Sequence, residues 1–173
     1  MQIVLNEAIY ETVIRDAIPS AKKFLWILTA DLKDLHVDGG KLRFVPFLEV
    51  LADLVREGVE VRLIHAKEPG PRFREDFDRF PELLNSDRFE RLLCPRNHMK
   101  MVVVDGQFAY LGSANLTGAG MGAKSPQRRN FEAGVITRDT KEVRELMDFV
   151  DQLYLGEFCV GCGRRDVCPD PIA

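Results

Sequence analysis

A single turn signal constrains the fold of this chain more than any other local feature. The dipeptide Asp105-Gly106 separates two apolar runs, at residues 98–104 and 108–111. Asp-Gly between apolar segments is typical of a tight hairpin, because both turn residues adopt a positive φ that Asp and Gly tolerate. The sequence therefore predicts two antiparallel strands that are joined directly to each other.

The rest of the chain alternates between the 3.6-residue period of helices and the two-residue period of strands. The predicted elements are a helix at 7–18 with Asn6 as its N-cap, strands at 24–28, 59–64, 89–93 and 131–137, helices at 44–57 and 140–155, and a turn at 38–40. Helix–strand alternation followed by a hairpin implies a mixed sheet with helices on both faces. We therefore expect an α/β fold, with a mixed β-sheet sandwiched between helices.

The length of 173 residues allows one domain plus a short appendage. We expect a domain over residues 1–155 and a Cys-rich C-terminal tail over residues 156–173. There is no run of about 18 uncharged apolar residues, and the N-terminus lacks a basic segment followed by an apolar stretch. These features predict no membrane insertion and no secretory signal, and hence a cytoplasmic location.

Charge is unevenly distributed along the sequence. The net charge is −3, whereas a protein that coats nucleic acid is usually basic overall. Between Arg96 and Arg129, however, five residues are basic and one is acidic. A positive segment inside an acidic chain indicates a confined anion site rather than a broad basic face.

The hairpin also carries the residues best suited to chemistry. Because alternate residues of a strand share a face, His98 and Lys100 project together, whereas Asp105 faces away and belongs to the turn. Ser113 and Asn115 follow the returning strand, and the hairpin can bring them alongside the first pair. Imidazole, ammonium, hydroxyl and carboxamide groups all donate hydrogen bonds of the kind that phosphate oxygens accept. The imidazole can in addition act as a nucleophile or as an acid–base group.

This spacing resembles the signature of the phospholipase D superfamily, His-x-Lys-x4-Asp-x6-Gly-Ser-x-Asn. The sequence has the required residue at every fixed position: His98, Lys100, Asp105, Gly112, Ser113 and Asn115. The downstream Asn130-Phe131-Glu132 is similar to the family's strand carrying an acidic residue. A coincidental match of six fixed residues is very rare. The resemblance implies the family's α-β-α fold.

The resemblance also implies a mechanism. His98 would attack phosphorus to form a phosphohistidine, and a second histidine would protonate the leaving oxygen. Lys100 and Asn115 would hold the phosphoryl oxygens, with assistance from Ser113. Glu132 would fix the tautomer of His98. The family requires no catalytic metal, because the lysine supplies the positive charge.

Two histidines are needed, whereas the chain has one complete motif. Members of this size resemble small bacterial endonucleases that dimerise across a two-fold axis, so we expect a homodimer with a shared cleft. His65-Ala-Lys67 repeats part of the motif, but Arg72 stands where the motif needs Asp. We therefore interpret this second pattern as the end of a strand.

The predicted substrate is nucleic acid, so the leading hypothesis is a nuclease. Arg128 and Arg129 are either ordinary loop charges or contacts to substrate phosphates. One alternative is a phospholipase or another lipid phosphodiesterase. A second alternative is a module that binds nucleic acid, or regulates, within a larger complex that includes a protein partner.

The four cysteines suggest a metal site. Cys159, Cys162 and Cys168 have the spacing of metal ligands, and Cys94 is the candidate fourth ligand. A tetrathiolate site suits structural Zn(II) or an iron–sulfur cluster. Free thiols are the alternative, since disulfides are not expected in a reducing compartment.

Overall fold

The computed structural model describes residues 1–33, 35–38 and 43–172. Its centre is a seven-stranded mixed sheet with the order β1-β9-β8-β7-β2-β5-β6. The strands of this sheet are β1 (Gln2–Leu5), β2 (Phe24–Thr29), β5 (Glu60–His65), β6 (Phe89–Leu93), β7 (Met101–Val104), β8 (Phe108–Gly112) and β9 (Ala133–Thr137). Strands β3 (His36–Asp38) and β4 (Phe44–Pro46) form a separate small ladder.

Helices cover both faces of the sheet. They comprise α1 (Glu7–Ile9), which continues as a π-helix (Tyr10–Ala17) and a 3-10 turn (Ile18–Ser20), α2 (Phe47–Arg56), α3 (Pro71–Phe77), α4 (Pro81–Asn85) and α5 (Thr140–Tyr154), with further 3-10 turns at Pro126–Arg128 and Arg165–Val167. The predicted fold class is therefore confirmed. Within the described residues, no helix is long and apolar enough to cross a membrane.

The two faces of the sheet are covered unequally. The helices from α1 to α4 pack on one face and enclose the larger hydrophobic core. On the second face, α5 places Val143 and Val150 against the central strands, where they contact a smaller cluster that includes Trp26 and Val103. The antiparallel end of this second face carries exposed apolar side chains, such as Ile3 on β1.

The predicted hairpin is confirmed. Asp105 and Gly106 have φ values of 52° and 67°, and β7 pairs with β8 from Val104 opposite Phe108. These values explain why Asp-Gly stands at this position. The same turn delivers β7 to the parallel half of the sheet, because β7 also pairs antiparallel with β2.

Asp105 has a structural role in this turn. Its carboxylate accepts hydrogen bonds from the backbone N–H groups of Lys22, Lys23 and Phe24, at 2.8–2.9 Å. It thereby ties the start of β2 to the end of β7 that lies away from His98. Asp105 belongs to the motif by sequence, but its carboxylate is engaged at the opposite end of the strand.

The N-terminal segment differs from the prediction. The sequence pattern did not indicate β1, which pairs with β9 from Gln2 opposite Ile136 to Leu5 opposite Ala133. Asn6 was expected to cap the first helix, but its side chain makes no cap hydrogen bond. It accepts a hydrogen bond from the backbone of Glu132 instead, because the strand pairing brings the two segments together.

A further boundary departs from the expected one. The predicted helix at 44–57 begins at Phe47, because residues 44–46 pair with β3. The predicted turn at 38–40 falls partly outside the described residues, since the structure describes Asp38 but not Gly39 and Gly40.

We predict that Asp105→Ala lowers the free energy of unfolding by about 2 kcal/mol, because three backbone N–H groups lose a charged acceptor. Asp105→Asn should cost about half as much, since it keeps one acceptor oxygen and tolerates the positive φ. Urea unfolding measures both values. A large fall in turnover with unchanged stability would instead assign Asp105 a role in the reaction.

Candidate active site

The motif residues meet at one edge of the sheet. The parallel strands β2, β5 and β6 end there, while β7 and β9 begin there. In open α/β sheets, ligands bind in the crevice outside the carboxyl ends of the strands. His98, Lys100, Ser113 and Asn115 all lie at this edge, in the segments that enter β7 and leave β8.

His98 and Lys100 form a close pair. The Lys100 Nζ lies 3.2 Å from His98 Nδ1 and 3.4 Å from Nε2, and it donates to the His98 carbonyl at 2.8 Å. His98 is exposed, whereas only 7% of Lys100 is exposed. Burial lowers the pKa of Lys100, and the Glu132 carboxylate acts in the opposite direction. The pair thus presents an accessible imidazole next to a partly desolvated cation.

Ser113 and Glu132 are joined by a short hydrogen bond from the serine hydroxyl to the carboxylate. Asn130 donates to the other oxygen of Glu132 at 3.0 Å, and the backbone N–H of Ala133 donates to Ser113 Oγ at 3.1 Å. These bonds fix the carboxylate against β8. Among the contacts of the described residues, Glu132 makes no hydrogen bond to His98, so the expected tautomer-fixing contact is not formed here.

Asn115 is oriented by the end of β2. Its Oδ1 accepts hydrogen bonds from the backbone N–H of Asp31, at 3.0 Å, and from Thr29 Oγ1, at 3.4 Å. Within the described part of the chain, its Nδ2 has no protein partner. The two amide protons are therefore available to an anion in the crevice.

Asp31 organises the rim of the crevice. Its carboxylate forms ion pairs with Lys33 and Lys67, each at 3.1 Å. Burial tends to raise the pKa of Asp31, but the hydrogen bonds from the two lysines outweigh that effect and lower it. No local sequence signal indicates this cluster, because Lys67 is distant in the chain from Asp31 and Lys33.

The buried Asn97 supports the site, and the sequence analysis did not identify it. Only 4% of it is exposed, and its Nδ2 donates to the carbonyls of Thr29 and Ile64, both at 3.1 Å. Its Oδ1 accepts from the backbone N–H of Met99. Asn97, the residue next to His98, is thereby tied to β2 and β5. Only its position adjacent to the motif could have identified it from the sequence.

Gly112 of the motif is a glycine for steric reasons. A Cβ on Gly112 would lie within 2.2 Å of the Tyr110 hydroxyl and 2.8 Å of the Ala133 carbonyl. Gly134, its partner on β9, would meet the same tyrosine ring. Burial raises the pKa of Tyr110 to about 12, so this packed ring stays neutral beside the site.

The two arginines predicted to bind substrate behave differently. Arg129 forms an ion pair with Glu7 at 2.9 Å, and its Nε donates to the Lys124 carbonyl at 2.8 Å. It therefore fastens the loop after β8 to the first helix. Arg128 is exposed on the 3-10 turn that precedes Glu132.

His65 and Lys67 do not form a second catalytic pair. The fully buried His65 ring has Nδ1 2.8 Å from the Lys67 carbonyl, while Nε2 accepts a hydrogen bond from Arg91 at 2.8 Å. The neutral ring is a structural connector between β5 and β6. This agrees with its interpretation as the end of a strand.

The predicted tetrathiolate is not supported. Cys94, Cys159, Cys162 and Cys168 line one cavity, but the described residues contain no group of three or more His, Cys, Asp or Glu side chains that is placed to hold a metal ion. Two of the thiols have other contacts. Cys162 accepts from Arg96 at 3.6 Å, and the Cys168 sulfur lies 3.8 Å from the Leu93 carbonyl. The spacing supplied the reach of a metal site, but the tail packs in a different arrangement.

Residues 14–154 match the family described as cardiolipin synthase, PLD-like domain. The chain is 30% identical to cardiolipin synthase 2 of Bacillus cereus and to that of Bacillus anthracis, over 146 residues in each case. The alignment covers 79% of this chain and 24% of either relative. The chain therefore spans about a quarter of the length of these curated relatives.

Two solved structures show the same fold. NucT from Helicobacter pylori has a TM-score of 0.61 and 16% identity, and the match covers 87% of this chain and 94% of NucT. Nuc from Salmonella typhimurium, a phospholipase D family member, has a TM-score of 0.59 and 16% identity, with coverage of 86% and 90%.

We predict that His65 makes the free energy of unfolding depend on pH. Burial lowers the pKa of its folded form to about 4, whereas an unfolded histidine titrates near ~6.5. The unfolded chain therefore binds a proton that the folded chain does not. The stabilisation is complete above pH ~6.5 and is lost as the pH falls through about 4, at up to ~1.4 kcal/mol per pH unit.

Urea unfolding at several pH values tests this prediction by comparing the wild type with His65→Asn. The difference between wild type and His65→Asn should shrink as the pH falls from 6.5 to 4. Parallel curves for His65→Asn and wild type would exclude this titration.

Proposed function

This chain belongs to the phospholipase D superfamily, and on that premise we propose that it is a metal-independent phosphodiesterase that cleaves nucleic acid through a phosphohistidine intermediate. The observation that supports this most directly is the convergence of His98, Lys100, Ser113 and Asn115 at one edge of the sheet. An exposed imidazole next to several hydrogen-bond donors suits nucleophilic attack on an anionic phosphodiester.

In the proposed reaction, an imidazole nitrogen of His98 attacks phosphorus, and the bond from phosphorus to the leaving oxygen breaks. The leaving oxygen takes a proton from a second imidazolium. Water then attacks the phosphohistidine and gives its proton to that second imidazole, while the P–N bond breaks and His98 is regenerated. Lys100 and the Asn115 amide stabilise the charge on the phosphoryl oxygens. The single hydroxyl proton of Ser113 is donated to Glu132, so Ser113 assists by holding that carboxylate in place.

We propose that the second imidazole comes from a second copy of the chain. Of the three histidines, His65 is buried in structural contacts and His36 lies on the separate β3–β4 ladder. His98 of the partner subunit is therefore the proposed proton donor. This assigns the functional unit as a homodimer with both copies of the motif facing one cleft.

The exposed part of the second sheet face is the proposed interface. We call it the bare face and define it by Ile3, Leu5, Leu111 and Val135. Ile3 pairs with Val135, and Val135 pairs with Leu111, so these side chains form a row across three strands. Ile3 is 72% and Leu5 54% exposed. Contiguous exposed apolar surface marks interaction sites.

The bare face also adjoins the catalytic residues. Its strands carry Ser113 and Glu132 at their ends, and Phe131, which precedes Glu132, is 97% exposed. A second copy on this surface lies next to the crevice, where the reaction needs it. Helix α5 covers the adjoining half of the same face and sets the edge of the interface.

The solved structures of similar fold, NucT and Nuc, support nucleic acid as the proposed substrate. The 30% identity to the cardiolipin synthases makes a lipid phosphodiester the second candidate substrate. The exposed Arg128 is proposed to contact substrate phosphates.

In this proposal residues 1–155 are the catalytic domain, residues 156–173 are a tail packed against it, and the protein works in the cytoplasm.

We predict that the purified protein cleaves single-stranded or duplex nucleic acid in the presence of EDTA. His98→Ala should lower the rate at least ~1,000-fold, because the nucleophile is lost. His36→Ala is the matched control and should retain the rate. A reaction with 32P-labelled substrate should leave label on the protein. That label should survive a quench in base and be lost in acid, as expected for a phosphohistidine. Activity that persists in His98→Ala would overturn the proposed mechanism.

We also predict that Ile3→Glu converts the dimer to monomers and lowers activity at least ~10-fold, because a charge is buried in the apolar interface. Phe44→Glu is the control, since Phe44 is 69% exposed on β4, away from the bare face. Sedimentation and cleavage rates are measured on the same samples. A fully active monomeric wild type would refute the shared site, and an intact Ile3→Glu dimer would refute this face.

A further inference from the structure

A largely apolar cavity opens beside His98. Its volume is about 530 Å³, which lies in the range of small-molecule sites. His98 forms part of its wall, so anything bound in the cavity lies next to the proposed nucleophile. The proposed reaction does not use this space.

The C-terminal tail builds one side of the cavity. Residues 14–154 match the family, whereas Phe158, Cys162, Arg164 and Ile172 of the wall lie beyond that match. The tail's share of the wall therefore lies outside the residues that match the family.

Contacts between the tail and the strand before His98 hold the cavity in shape. The Asp170 carboxylate accepts a hydrogen bond from the Leu93 N–H at 2.8 Å, and Arg96 donates to the Phe158 carbonyl at 3.4 Å. Within the tail, Arg165 donates to the Ile172 carbonyl at 3.0 Å. These bonds link the tail to the segment that carries the nucleophile.

The lining combines flat rings with cations. The rings of Phe149 and Phe158 are 5.4 Å apart, and aliphatic side chains such as Leu153 complete the apolar wall. Arg96 and Arg164 belong to the same lining and are exposed. An aromatic wall with adjacent positive charge matches a ligand that is both flat and anionic.

We propose that this cavity holds one unpaired nucleobase of the substrate while the neighbouring phosphate lies at His98. The proposal rests on the proposed function and specifies its substrate as single-stranded nucleic acid. A base in a duplex is stacked and paired, so it enters a pocket only after extrusion, which has an energetic cost. Because every base has a π-face, stacking in such a pocket tolerates many sequences.

A hydrocarbon chain is the competing occupant. It would fill the apolar part of the cavity, including the surface of the phenyl rings, but it would not stack on those rings or pair with the two arginines. A nucleotide uses both, since its base stacks on the rings and its phosphates pair with the cations. We therefore assign the cavity to a nucleobase and make the hydrocarbon chain an outcome of the test.

Binding is tested with the full-length His98→Gln protein, so that the oligonucleotide stays intact. A 12-nucleotide single strand with one central 2-aminopurine reports stacking by a change in fluorescence. Adding Phe158→Ala should weaken binding about tenfold and abolish most of the fluorescence change, as expected for one lost stacking contact. Val160→Ala, in the same tail and 88% exposed, is the matched control and should bind normally.

Cleavage by the wild-type protein gives an independent test. Removing one base from the single strand should suppress cutting at the adjacent phosphate at least about tenfold, while distant positions are still cut. Duplex of the same sequence should be cut more slowly than the single strand. Equal cutting of intact and abasic strands would overturn the base pocket and leave the nuclease proposal standing.

The two proposals fail in different ways. If no nucleic acid is cleaved but 2-aminopurine binding still depends on Phe158, the pocket stands and the proposed reaction falls. If Phe158→Ala instead impairs only hydrolysis of phosphatidylglycerol vesicles, the occupant is a hydrocarbon chain and the base pocket is wrong.

Discussion

The pairing of β7 with β2 is the interaction on which the rest of the molecule depends. It joins the parallel half of the sheet to the antiparallel half, and the carboxylate of Asp105 holds the two strands together at the end away from the site. A slip of one residue would turn every side chain of β7 to the opposite face. The register therefore decides whether Lys100 meets the crevice at all, and catalytic geometry and sheet stability share one cause.

Features encoded within a short stretch of sequence were predictable. Asp105-Gly106 fixed the hairpin, and the motif fixed which side chains reach the crevice, because both depend on residues that are close in the chain. Contacts between distant segments were not predictable. The Asp31 cluster, the Asn6 contact to Glu132 and strand β1 all arise from tertiary pairing. The spacing of Asn130 and Glu132 indicated an acidic group, but not that it binds Ser113.

The cysteines show the same limit from another direction. Sequence spacing states how far thiols can reach, but it does not state which neighbours they meet. Here the tail packs on Leu93 and Arg96, and Cys162 and Cys168 contact those residues. Four cysteines lining one cavity are compatible with a structural wall, because a free cysteine packs like a small apolar residue. The contacts of Cys162 and Cys168 show that the tail packs against Leu93 and Arg96, which the spacing of the cysteines did not indicate.

The electrostatics of Lys100 link the fold to the proposed reaction. Burying an ammonium group is costly unless it is paired, and Lys100 is only 7% exposed. Its own hydrogen bond goes to the neutral carbonyl of His98, and burial lowers its pKa. In the proposed reaction, a phosphodiester bound at His98 supplies the countercharge. The folded chain thus bears the cost of desolvating the cation before substrate arrives, and this cost is recovered as attraction for the phosphoryl oxygens during the reaction.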